Sequence, residues 1–560
     1  SSHFGFRQLG SGIWPSSLGA VYCFASAGDF RVELPHGLPL KMAISHKAAH
    51  TESYGQSRIV LDDDTSALSS FHDTGDSFRR KCKIICTMGP SCWEPDMLVK
   101  LMEAGMNIAR LNFSHGDHEM HGSTVAKIRE AAKKFPNRNI GILLDTKGPE
   151  IRTGFFREDV GKSIELKQGQ ELKLVTDYSF KGDNTCIALT YDKLPTSVKP
   201  GNTILMADGS LSLKVKECGK DFVITEVMNN CKLGERKNCN LPGVKVDLPV
   251  LQDKDKEDLV KFGIPQGVDF VAASFVQSAD DVKLIRDTLG LRGRSIKIIS
   301  KIENEEGLKN FDAIVEASDG IMVARGDLGM EIPPEKVFLA QKMMVARCNM
   351  MGKPVITATQ MLESMINLPR PTRAEASDVA NAVLDGTDCV MLSGETAAGA
   401  FPLNAVTIMR RICEEAEAVI EYDSLYLNTR LSILRKSHNI SGVESICSSA
   451  VKATIDSGCP LVIVLTETGA TARMVAKYRP RATILAITAS DTTARQLGLV
   501  RGVVPMLTAS FQGTDSVIAK ALVRAKSDGM AKSGDMVVAV HGQQEECPGS
   551  SNLLKMVVVP

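Results

Sequence analysis

The chain has no run of about 18 consecutive apolar residues, the length that a membrane-spanning helix needs. It also has no excess charge of either sign, because lysine plus arginine and aspartate plus glutamate each number 66. A balanced charge creates no overall field that would attract nucleic acid or an anionic membrane. We therefore expect neither of these among the partners, although a local basic pocket can still bind phosphates.

No Cys-x-x-Cys pair occurs among the 14 cysteines, which are scattered along the 560 residues. Cys82 and Cys86 lie in a strand-like run, and Cys348, Cys389 and Cys413 lie in apolar or helical contexts. Such cysteines are typical of reduced thiols that pack as small hydrophobic side chains. The pattern predicts a cytoplasmic protein, and the length predicts about three or four domains.

Residues 1–78 are rich in Ser, Gly and His and show no sustained hydrophobic period, so we expect a disordered N-terminal extension. A transit peptide is an alternative because no acidic residue precedes Asp29, but arginine is sparse there. Another alternative is that the residues before Met42 are a tag or upstream sequence and that Met42 is the start. The sequence does not decide among these alternatives.

From residue 79 onward, short apolar runs alternate with amphipathic, helix-like stretches. Eight of these runs are strand candidates, and eight parallel strands with intervening helices close a (β/α)8 barrel. The runs are 84–86, 107–111, 140–144, 270–273, 296–299, 320–324, 354–357 and 389–392. This α/β pattern predicts a barrel made of residues 79–149 and 249–424.

Two further domains are predicted around this barrel. Period-two runs at 163–166, 171–175, 212–215 and 222–227 indicate a small antiparallel β domain over residues 150–248, inserted after the third strand as a lid. Residues 425–560 show a second α/β pattern, with a helix at 442–457 and strands at 461–465, 484–487, 503–507, 536–540 and 555–559. We expect a C-terminal doubly wound α/β regulatory domain there.

Two strand candidates end in charged residues that suit phosphate chemistry. The first leads into Lys301 and Glu303, which can point to one side of an extended segment, and the second leads into Asp327. Carboxylate oxygens suit Mg²⁺, and an ammonium beside the metal suits charge that develops on a phosphoryl group or an enolate. The alternative is a pair of surface salt bridges.

Six of the eight predicted strand ends carry polar side chains, which a packed barrel without a ligand does not need. Arg110 and Arg152 offer bidentate forks for phosphate, or else form salt bridges to Asp145 or Glu150. Four oxygen-bearing residues with one formal charge between them suit a monovalent cation: Asn112, Ser114, Asp145 and Thr146. Helix N-capping is the alternative for two hydroxyl residues that follow the last two strands, Thr359 and Ser393.

Two other motifs are less specific. The segment from Thr466 to Thr471 is a hydroxyl- and glycine-rich turn that indicates either an anion site or plain N-capping by threonine. His115, His118 and His121 suggest zinc, but their spacing drifts off one helical face and no fourth ligand accompanies them. We expect no zinc site.

Over roughly residues 80–560 the chain resembles the pyruvate kinase family. The resemblance rests on long motifs in a fixed order: TMGPS (87–91), NFSHG (112–116), LDTKGPEIR (144–152), NLPG (240–243), SKIEN (300–304), MVARGDLG (322–329) and ATQMLE (358–363). It implies transfer of the phosphoryl group of phosphoenolpyruvate to ADP, in the last step of glycolysis, with Mg²⁺ (or Mn²⁺) and K⁺ as cofactors.

The resemblance also implies a role for each matched residue. Lys301 stabilises the transferring group and the enolate, Arg110 binds the substrate phosphate, and Thr359 with Ser393 and Glu395 forms a water-mediated protonation relay. The divalent cation is held by Glu303 and Asp327, and K⁺ by Asn112, Ser114, Asp145 and Thr146. Substrate is also held by the backbone of Ala324, Arg325 and Gly326, by Asp327 and by the Thr359 hydroxyl. ADP or ATP is bound by Asn112, His115, Arg152 and Lys237.

Two positions refine these expectations. In the resembled family Glu150 accompanies K⁺ dependence, since members that do not need K⁺ carry lysine there, so we expect K⁺ activation. Family members that respond to fructose 1,6-bisphosphate commonly carry lysine where this chain has Glu467, and arginine where Glu545 and Glu546 stand. We expect little or no response to this effector. A different phosphorylated effector remains open in a loop that contains Thr466, Glu467, Thr468, Gly469 and Thr471.

Two other functions are kept as alternatives. A barrel that handles an enolate without nucleotide, such as an aldolase or lyase, would share the carboxylate pair but lack the inserted domain. An inactive paralogue kept as a binding subunit would not need the set of Lys301, Glu303, Asp327 and Thr359. The resemblance further implies a homotetramer.

Overall fold

The structure, a computed structural model, describes residues 80–437, 439–544 and 549–560. The expectation of a disordered extension over residues 1–78 lies outside the described residues, as do Glu545 and Glu546 of the effector prediction. Within the described ranges, no helix is both long enough and apolar enough to cross a membrane.

The chain enters a barrel through three buried strands with two helices between them. The first helix starts with a proline, which needs no N–H partner in the first turn, and ends before Gly105, whose φ of 128° suits only glycine. The elements are β1 (Lys83–Thr87), α1 (Pro95–Ala104), β2 (Ile108–Asn112), α2 (His118–Ala132) and β3 (Gly141–Asp145).

A β domain is inserted after β3. Its elements are β4 (Ile151–Arg152), β5 (Ser163–Leu166), β6 (Glu171–Val175), β7 (Cys186–Ala188), α3 (Leu194–Ser197), β8 (Thr203–Met206), β9 (Leu211–Cys218), β10 (Phe222–Val227), β11 (Cys231–Gly234) and β12 (Asn238–Asn240). Seven strands form one sheet in the order β4-β12-β8-β9-β10-β6-β7, and β5 pairs with β11. The antiparallel prediction is confirmed except for β6 and β7, which run parallel because residues 176–185 carry the chain back across before β7 begins.

The chain then returns to the barrel and completes it. The elements are α4 (Asp253–Glu257), a π-helical segment (Asp258–Gly263), α5 (Ile264–Gln266), β13 (Phe270–Ala273), α6 (Ala279–Leu289), β14 (Lys297–Ile302), α7 (Glu305–Lys309), α8 (Phe311–Ala317), β15 (Gly320–Ala324), α9 (Arg325–Glu331), α10 (Val337–Met351), β16 (Val355–Ala358), α11 (Arg373–Asp385), β17 (Cys389–Leu392), α12 (Gly394–Ala397) and α13 (Pro402–Ala418). Short 3₁₀ turns lie at Pro334–Lys336 and Glu363–Ile366.

Eight parallel strands close the barrel in the order β1-β17-β16-β15-β14-β13-β3-β2, which confirms the predicted fold class. Successive side chains on a strand point to opposite faces, so each buried strand supplies two cores. Ile84 of β1 packs in the layer under the helices, whereas Ile85 packs with Met322 and Ile356 in a second cluster. Leu499, from the C-terminal domain, joins this second cluster.

The C-terminal domain is a five-stranded sheet with helices, and it contains α14 (Tyr422–Lys436), α15 (Gly442–Ser457), β18 (Leu461–Leu465), α16 (Ala470–Lys477), β19 (Thr483–Thr488), α17 (Asp491–Leu497), β20 (Val503–Leu507), α18 (Thr514–Ser527), β21 (Met536–Gly542) and β22 (Ser551–Val558). The strand order is β20-β19-β18-β21-β22. The predicted strand at 555–559 is longer than expected, and it pairs antiparallel to β21 because the connection is too short for a crossover.

Candidate active site

Lys301 and Glu303 meet Asp327 at the carboxyl ends of two neighbouring strands. β14 carries Lys301 and ends at Ile302, just before Glu303, while Asp327 lies in the first turn of α9, directly after β15. The two strands are parallel neighbours, and Lys301 stands opposite Met322 in their register. The predicted convergence of these strand ends is therefore observed.

The Lys301 ammonium group is the centre of a buried ion network. Its Nζ lies 2.8 Å from Glu303 Oε1 and 3.2 Å from Asp145 Oδ1, and it donates a hydrogen bond of 2.8 Å to Ser274 Oγ. Burial disfavours its charge, but the carboxylates of Asp145 and Glu303 outweigh burial and raise its pKa. Lys301 is thus held as a cation.

The carboxyl groups of Glu303 and Asp327 share one neighbouring cation, Lys301, which does not offset their burial. Burial raises the pKa of Glu303 to about 7, an effect that Lys301 opposes and Asp327 reinforces. Burial also raises the pKa of Asp327, which Lys301 opposes, while Glu150 and Asp208 repel it. Glu303 and Asp327 are close enough for each to influence the pKa of the other. A further cation between them would relieve this repulsion.

This pair fits a divalent cation such as Mg²⁺ or Mn²⁺. Among the residues that the structure describes, no group of three or more His, Cys, Asp or Glu side chains is arranged as a metal site. Mg²⁺ does not need one, because it is usually bound through one or two carboxylates while substrate oxygens and water supply the other ligands. Glu303 and Asp327 are therefore the residues that would hold it.

Arg110 on β2 is anchored by neighbouring strand ends. Its Nε lies 2.6 Å from Asp145 Oδ2, and its Nη1 donates a 2.9 Å hydrogen bond to Thr87 Oγ1. The salt bridge to Asp145 that the sequence left as an alternative is thus present. This salt bridge leaves Arg110 within the group of charged side chains at the strand ends, because Asp145 also pairs with Lys301. We call this group the strand-end cluster; its members are Arg110, Asp145, Lys301, Glu303 and Asp327.

Sequence reasoning missed Thr87, the last residue of β1, and Ser274, which follows β13. Thr87 Oγ1 accepts from Arg110, and Ser274 Oγ accepts from Lys301. All eight strand ends therefore supply polar groups, rather than six. A single hydroxyl after a strand is too common to give a signal of its own in the sequence.

Thr359, after β16, holds the start of α9 in place. Its Oγ1 accepts a hydrogen bond of 2.7 Å from the Gly326 N–H and donates one of 2.6 Å to the Ala358 carbonyl. Its φ of 70° is left-handed, a conformation that costs energy in a β-branched residue and is kept where the surroundings enforce it. Thr359 is not at a helix start, so it is not an N-cap.

Arg325 is turned away from the strand-end cluster by its own contacts. Its Nη2 lies 2.7 Å from Asp378 Oδ2 and donates a 2.8 Å hydrogen bond to the Thr359 carbonyl. The part of Arg325 left for a ligand is its backbone, together with the backbone of Ala324 and Gly326 at the same turn.

Glu395 and Ser393 follow β17 and hold a loop together. Glu395 is fully buried, and its carboxylate accepts hydrogen bonds from the N–H groups of Ser393 at 2.6 Å and Leu362 at 3.1 Å. Ser393 precedes α12, but its hydroxyl makes no capping bond to that helix. Glu395 is therefore engaged in positioning Ser393 rather than exposed to a ligand.

The four residues expected to hold a monovalent cation are neighbours. Asn112 Oδ1 accepts from the Ser114 N–H at 3.1 Å, and Thr146 Oγ1 accepts from the Ser274 N–H at 3.1 Å. Asp145 Oδ1 is buried and has the Lys301 ammonium 3.2 Å away as its charge partner. The four oxygen-bearing side chains carry one formal negative charge between them, a donor set that suits a weakly hydrated cation such as K⁺.

A cleft of about 420 Å³ opens between the barrel and the inserted domain. Arg152 and Lys237 line it together with Asp327, so these two nucleotide-binding candidates face the same space as one carboxylate of the pair. Asn112 and His115 do not line this cleft. Sequence reasoning missed Asp208 among its walls, because a lone aspartate in a β-turn carries no distinctive signal.

The three histidines of the disfavoured zinc reading do not converge on one point. His118 Nε2 lies 2.7 Å from Asp258 Oδ1, whereas His121 Nε2 is 2.9 Å from the carbonyl oxygen of His115. Burial lowers the pKa of His121, and its ring stacks on Phe113. Both rings are therefore committed to packing and hydrogen bonds.

A second, smaller cleft lies in the C-terminal domain. It holds about 60 Å³ and is lined by Thr466, Glu467, Thr468 and Thr471, with residues of β21 and β22 opposite. The cap of α16 is Gly469, whose φ is 77°, and no side chain caps this helix. The threonine hydroxyls are therefore not used as N-caps, which was the alternative to an anion site.

Comparison with known proteins matches two family models, "Pyruvate kinase, barrel domain" over residues 79–406 and "Pyruvate kinase, alpha/beta domain" over residues 444–557. A pyruvate kinase of Eimeria tenella is 60% identical over 88% of this chain and 92% of that protein, and one of Dictyostelium discoideum is 50% identical over 87% and 96%. A solved structure of Cryptosporidium parvum pyruvate kinase in complex with ADP is similar to this chain with a TM-score of 0.79, at 53% identity, over 89% of this chain and 99% of that one.

Proposed function

The chain belongs to the pyruvate kinase family, and from that premise we propose how its own residues perform phosphoryl transfer. The enzyme transfers the phosphoryl group of phosphoenolpyruvate to ADP in glycolysis, which yields pyruvate and ATP. The observation that carries the proposed roles is the convergence of Lys301, Glu303 and Asp327 at two adjacent strand ends.

Lys301 stabilises the phosphoryl group during its transfer and the enolate that forms when this group leaves phosphoenolpyruvate. A fixed cation placed where negative charge develops lowers the barrel enzyme's activation free energy without rearrangement during the reaction. Lys301 is suited to this because two carboxylates keep it charged and orient its Nζ. Glu303 and Asp327 would hold Mg²⁺ or Mn²⁺, which when bound supplies charge to the phosphate and carboxylate oxygens of the substrate.

Arg110 binds the phosphate of phosphoenolpyruvate. Its Nε and Nη1 are fixed by Asp145 and Thr87, so the guanidinium plane is held before the substrate arrives. The backbone at Ala324 to Gly326 and the Thr359 hydroxyl bind the other end of the substrate, at the start of α9.

Protonation of the enolate takes place on the side of Thr359. The hydroxyl of Thr359 is held by Gly326 and Ala358, and Ser393 is held by Glu395. We assign Thr359, Ser393 and Glu395 to a relay that works through water. Glu395 takes part by positioning Ser393, since its own carboxylate is occupied by backbone donors.

ADP binds in the cleft between the barrel and the inserted domain. Arg152 and Lys237 supply positive charge to this cleft. Asn112 and His115 do not line it, and their contact with the nucleotide rests on the resemblance alone. The solved Cryptosporidium relative in complex with ADP supports this ligand. The inserted domain acts as a lid that excludes water, so a cross-link that holds it open should abolish transfer and spare effector binding.

K⁺ activates the enzyme from the site formed by Asn112, Ser114, Asp145 and Thr146. The support is the placement of Asn112 opposite Asp145 on neighbouring strands, with one formal negative charge among the four residues, and the presence of glutamate at position 150. Glu150 Oε2 lies 2.6 Å from Arg152 Nη2, so the acid also orients a nucleotide-binding residue.

The small C-terminal cleft takes a phosphorylated effector other than fructose 1,6-bisphosphate. Thr466, Thr468 and Thr471 offer hydroxyls for one phosphate, whereas the charge of Glu467 would repel a second. We also propose a homotetramer, which membership of the pyruvate kinase family supports. Sedimentation equilibrium at a mass other than four chains would contradict it.

A cytoplasmic location is supported by the reduced state of the described cysteines and by relatives in soybean and tobacco whose names read "Pyruvate kinase, cytosolic isozyme". Immunofluorescence with a compartment marker tests this location.

The function itself is tested by following pyruvate formation with a coupled lactate dehydrogenase assay. We expect pyruvate only when phosphoenolpyruvate, ADP and Mg²⁺ or Mn²⁺ are all present. An aldolase or lyase would form or consume pyruvate without ADP, and an inactive paralogue would form none. Either of these results would overturn the roles proposed for the strand-end cluster.

A further inference from the structure

A cavity of about 230 Å³ lies where the barrel meets the C-terminal domain. The barrel side includes Lys297, the first residue of β14, and Pro354, just before β16, so the cavity is at the amino ends of the strands. The other side comes from α16 and from Leu499, after α17. The strand-end cluster lies at the opposite, carboxyl ends, and none of its residues lines this cavity.

The cavity has more positive than negative charge. Its acid, Asp319, is already paired: Oδ2 lies 3.0 Å from Arg286 Nη2, and Oδ1 lies 3.5 Å from Lys297 Nζ. Lys353 Nζ donates only to backbone carbonyl oxygens. The acceptors are the carbonyl of Ser318 at 2.5 Å and that of Glu316 at 3.2 Å. No carboxylate oxygen of a described residue forms an ion pair with Lys353.

Arg473 on α16 is a second cation that lines this cavity, and no described acid forms an ion pair with it. Its Nη1 donates a 3.3 Å hydrogen bond to the Thr468 carbonyl, which is a neutral acceptor. Burial lowers the pKa of Arg473 and of Lys353, and the two cations repel each other, although Asp319 partly opposes both effects. An anion between them would remove this repulsion.

The rest of the cavity wall is apolar. Phe270, Ile299, Leu499 and Val500 are buried residues that line it, and the partly buried Met474 adds a flexible, polarizable surface. The space is smaller than the roughly 300–1,000 Å³ of drug-sized ligand pockets, so its occupant has about ten non-hydrogen atoms.

We propose that this cavity binds a small organic carboxylate with an apolar or aromatic body. The carboxylate lies between Arg473 and Lys353, where the guanidinium fork offers two parallel hydrogen bonds. The apolar body packs against Phe270 and Leu499. The site does not depend on the proposed catalytic roles, since it shares no residue with them and its test measures binding rather than turnover.

The test uses 4-fluorobenzoate and ligand-observed ¹⁹F NMR on the full-length enzyme. We expect binding with a roughly millimolar Kd, as is common for a ligand of this size. Arg473→Met and Lys353→Met should each weaken it about tenfold or more, because each removes one charge-assisted contact. Lys520→Met, on the exposed face of α18, is the matched control and should bind like the wild type.

Neutral 4-fluorobenzamide and inorganic phosphate test separately whether binding needs the charge and the apolar body of the ligand. The amide has the same shape without the charge, and phosphate has the charge without the apolar body, so neither should displace 4-fluorobenzoate at equal concentration. The proposal is overturned if the wild type does not bind 4-fluorobenzoate, if both cation variants bind it normally, or if either competitor is as effective as unlabelled benzoate. Thermal melting of each variant identifies one that has lost its fold, and Arg473→Lys, which keeps a cation, should then retain binding.

Discussion

The Thr359 hydroxyl oxygen accepts a hydrogen bond from the Gly326 N–H at 2.7 Å, and so ties the loop after β16 to the first turn of α9. That turn also carries Asp327, half of the carboxylate pair. The position of the proposed metal ligand on one strand end therefore depends on a hydroxyl from the neighbouring strand end.

Two replacements of Thr359 should distinguish the contribution of its hydroxyl to kcat from that of the rest of the side chain. Thr359→Ser keeps the oxygen and should retain most of kcat, whereas Thr359→Val leaves the Gly326 N–H without its acceptor and should lower kcat about 10²-fold. Steady-state kinetics with phosphoenolpyruvate as the varied substrate measures both. Equal kcat for the serine and valine variants would show that the hydroxyl has no role.

Loss of one carboxylate of the pair should disable the enzyme without unfolding it. Asp327→Ala removes a group next to Glu303, and we expect kcat to fall about 10²–10³-fold. The exposed Asp221→Ala, in the inserted domain, is the control and should be unaffected. Calorimetric titration with Mn²⁺ should also show weaker binding to the Asp327 variant, and unchanged binding would argue against its role as a ligand.

K⁺ should be required for full activity. In buffer with tetramethylammonium as the only monovalent cation, we expect activity to fall about 10²-fold, and added K⁺ should restore it. Glu150→Lys should make the enzyme much less dependent on K⁺, because the new ammonium supplies the missing charge. Glu158→Lys, with a side chain that is 95% exposed in the same domain, should keep the dependence. Full wild-type activity without K⁺ would refute the prediction.

The phosphoenolpyruvate saturation curve should not respond to fructose 1,6-bisphosphate. Glu467 lines the small cleft, and its charge opposes a second phosphate. Glu467→Lys should create a response that the exposed Glu415→Lys does not. A panel that includes a hexose monophosphate and AMP should reveal any activator of the wild type. A large leftward shift at micromolar bisphosphate in the wild type would overturn this prediction.

The buried cysteines should resist alkylation while the protein is folded. Burial raises the pKa of Cys92 to about 11 and that of Cys447 to about 12. A raised thiol pKa means less of the reactive thiolate at pH 8, so iodoacetamide should label neither cysteine. Peptide mass spectrometry before and after guanidinium unfolding measures this. Labelling of folded Cys92 as fast as of glutathione would contradict the burial.

Much of the fold could be predicted from residue patterns because these are local. A fully buried parallel strand is a short apolar run, and all eight predicted barrel strands are observed, with 320–324 and 389–392 at the expected bounds. The parallel pairing of β6 with β7 could not be predicted, since it depends on the path of residues 176–185. The antiparallel pairing of β22 was missed for the same kind of reason.

The sequence by itself determined which chemical groups stand at the strand ends, because side-chain type and distance along the chain are sufficient for that. Only the tertiary structure decided what each group is free to do. It occupies the Glu395 carboxylate with two backbone donors, pairs Asp145 with both Arg110 and Lys301, and leaves Arg473 without an acid partner among the described residues. Burial and partners from distant segments set the charge and availability of a side chain, and neither is encoded in its immediate neighbours.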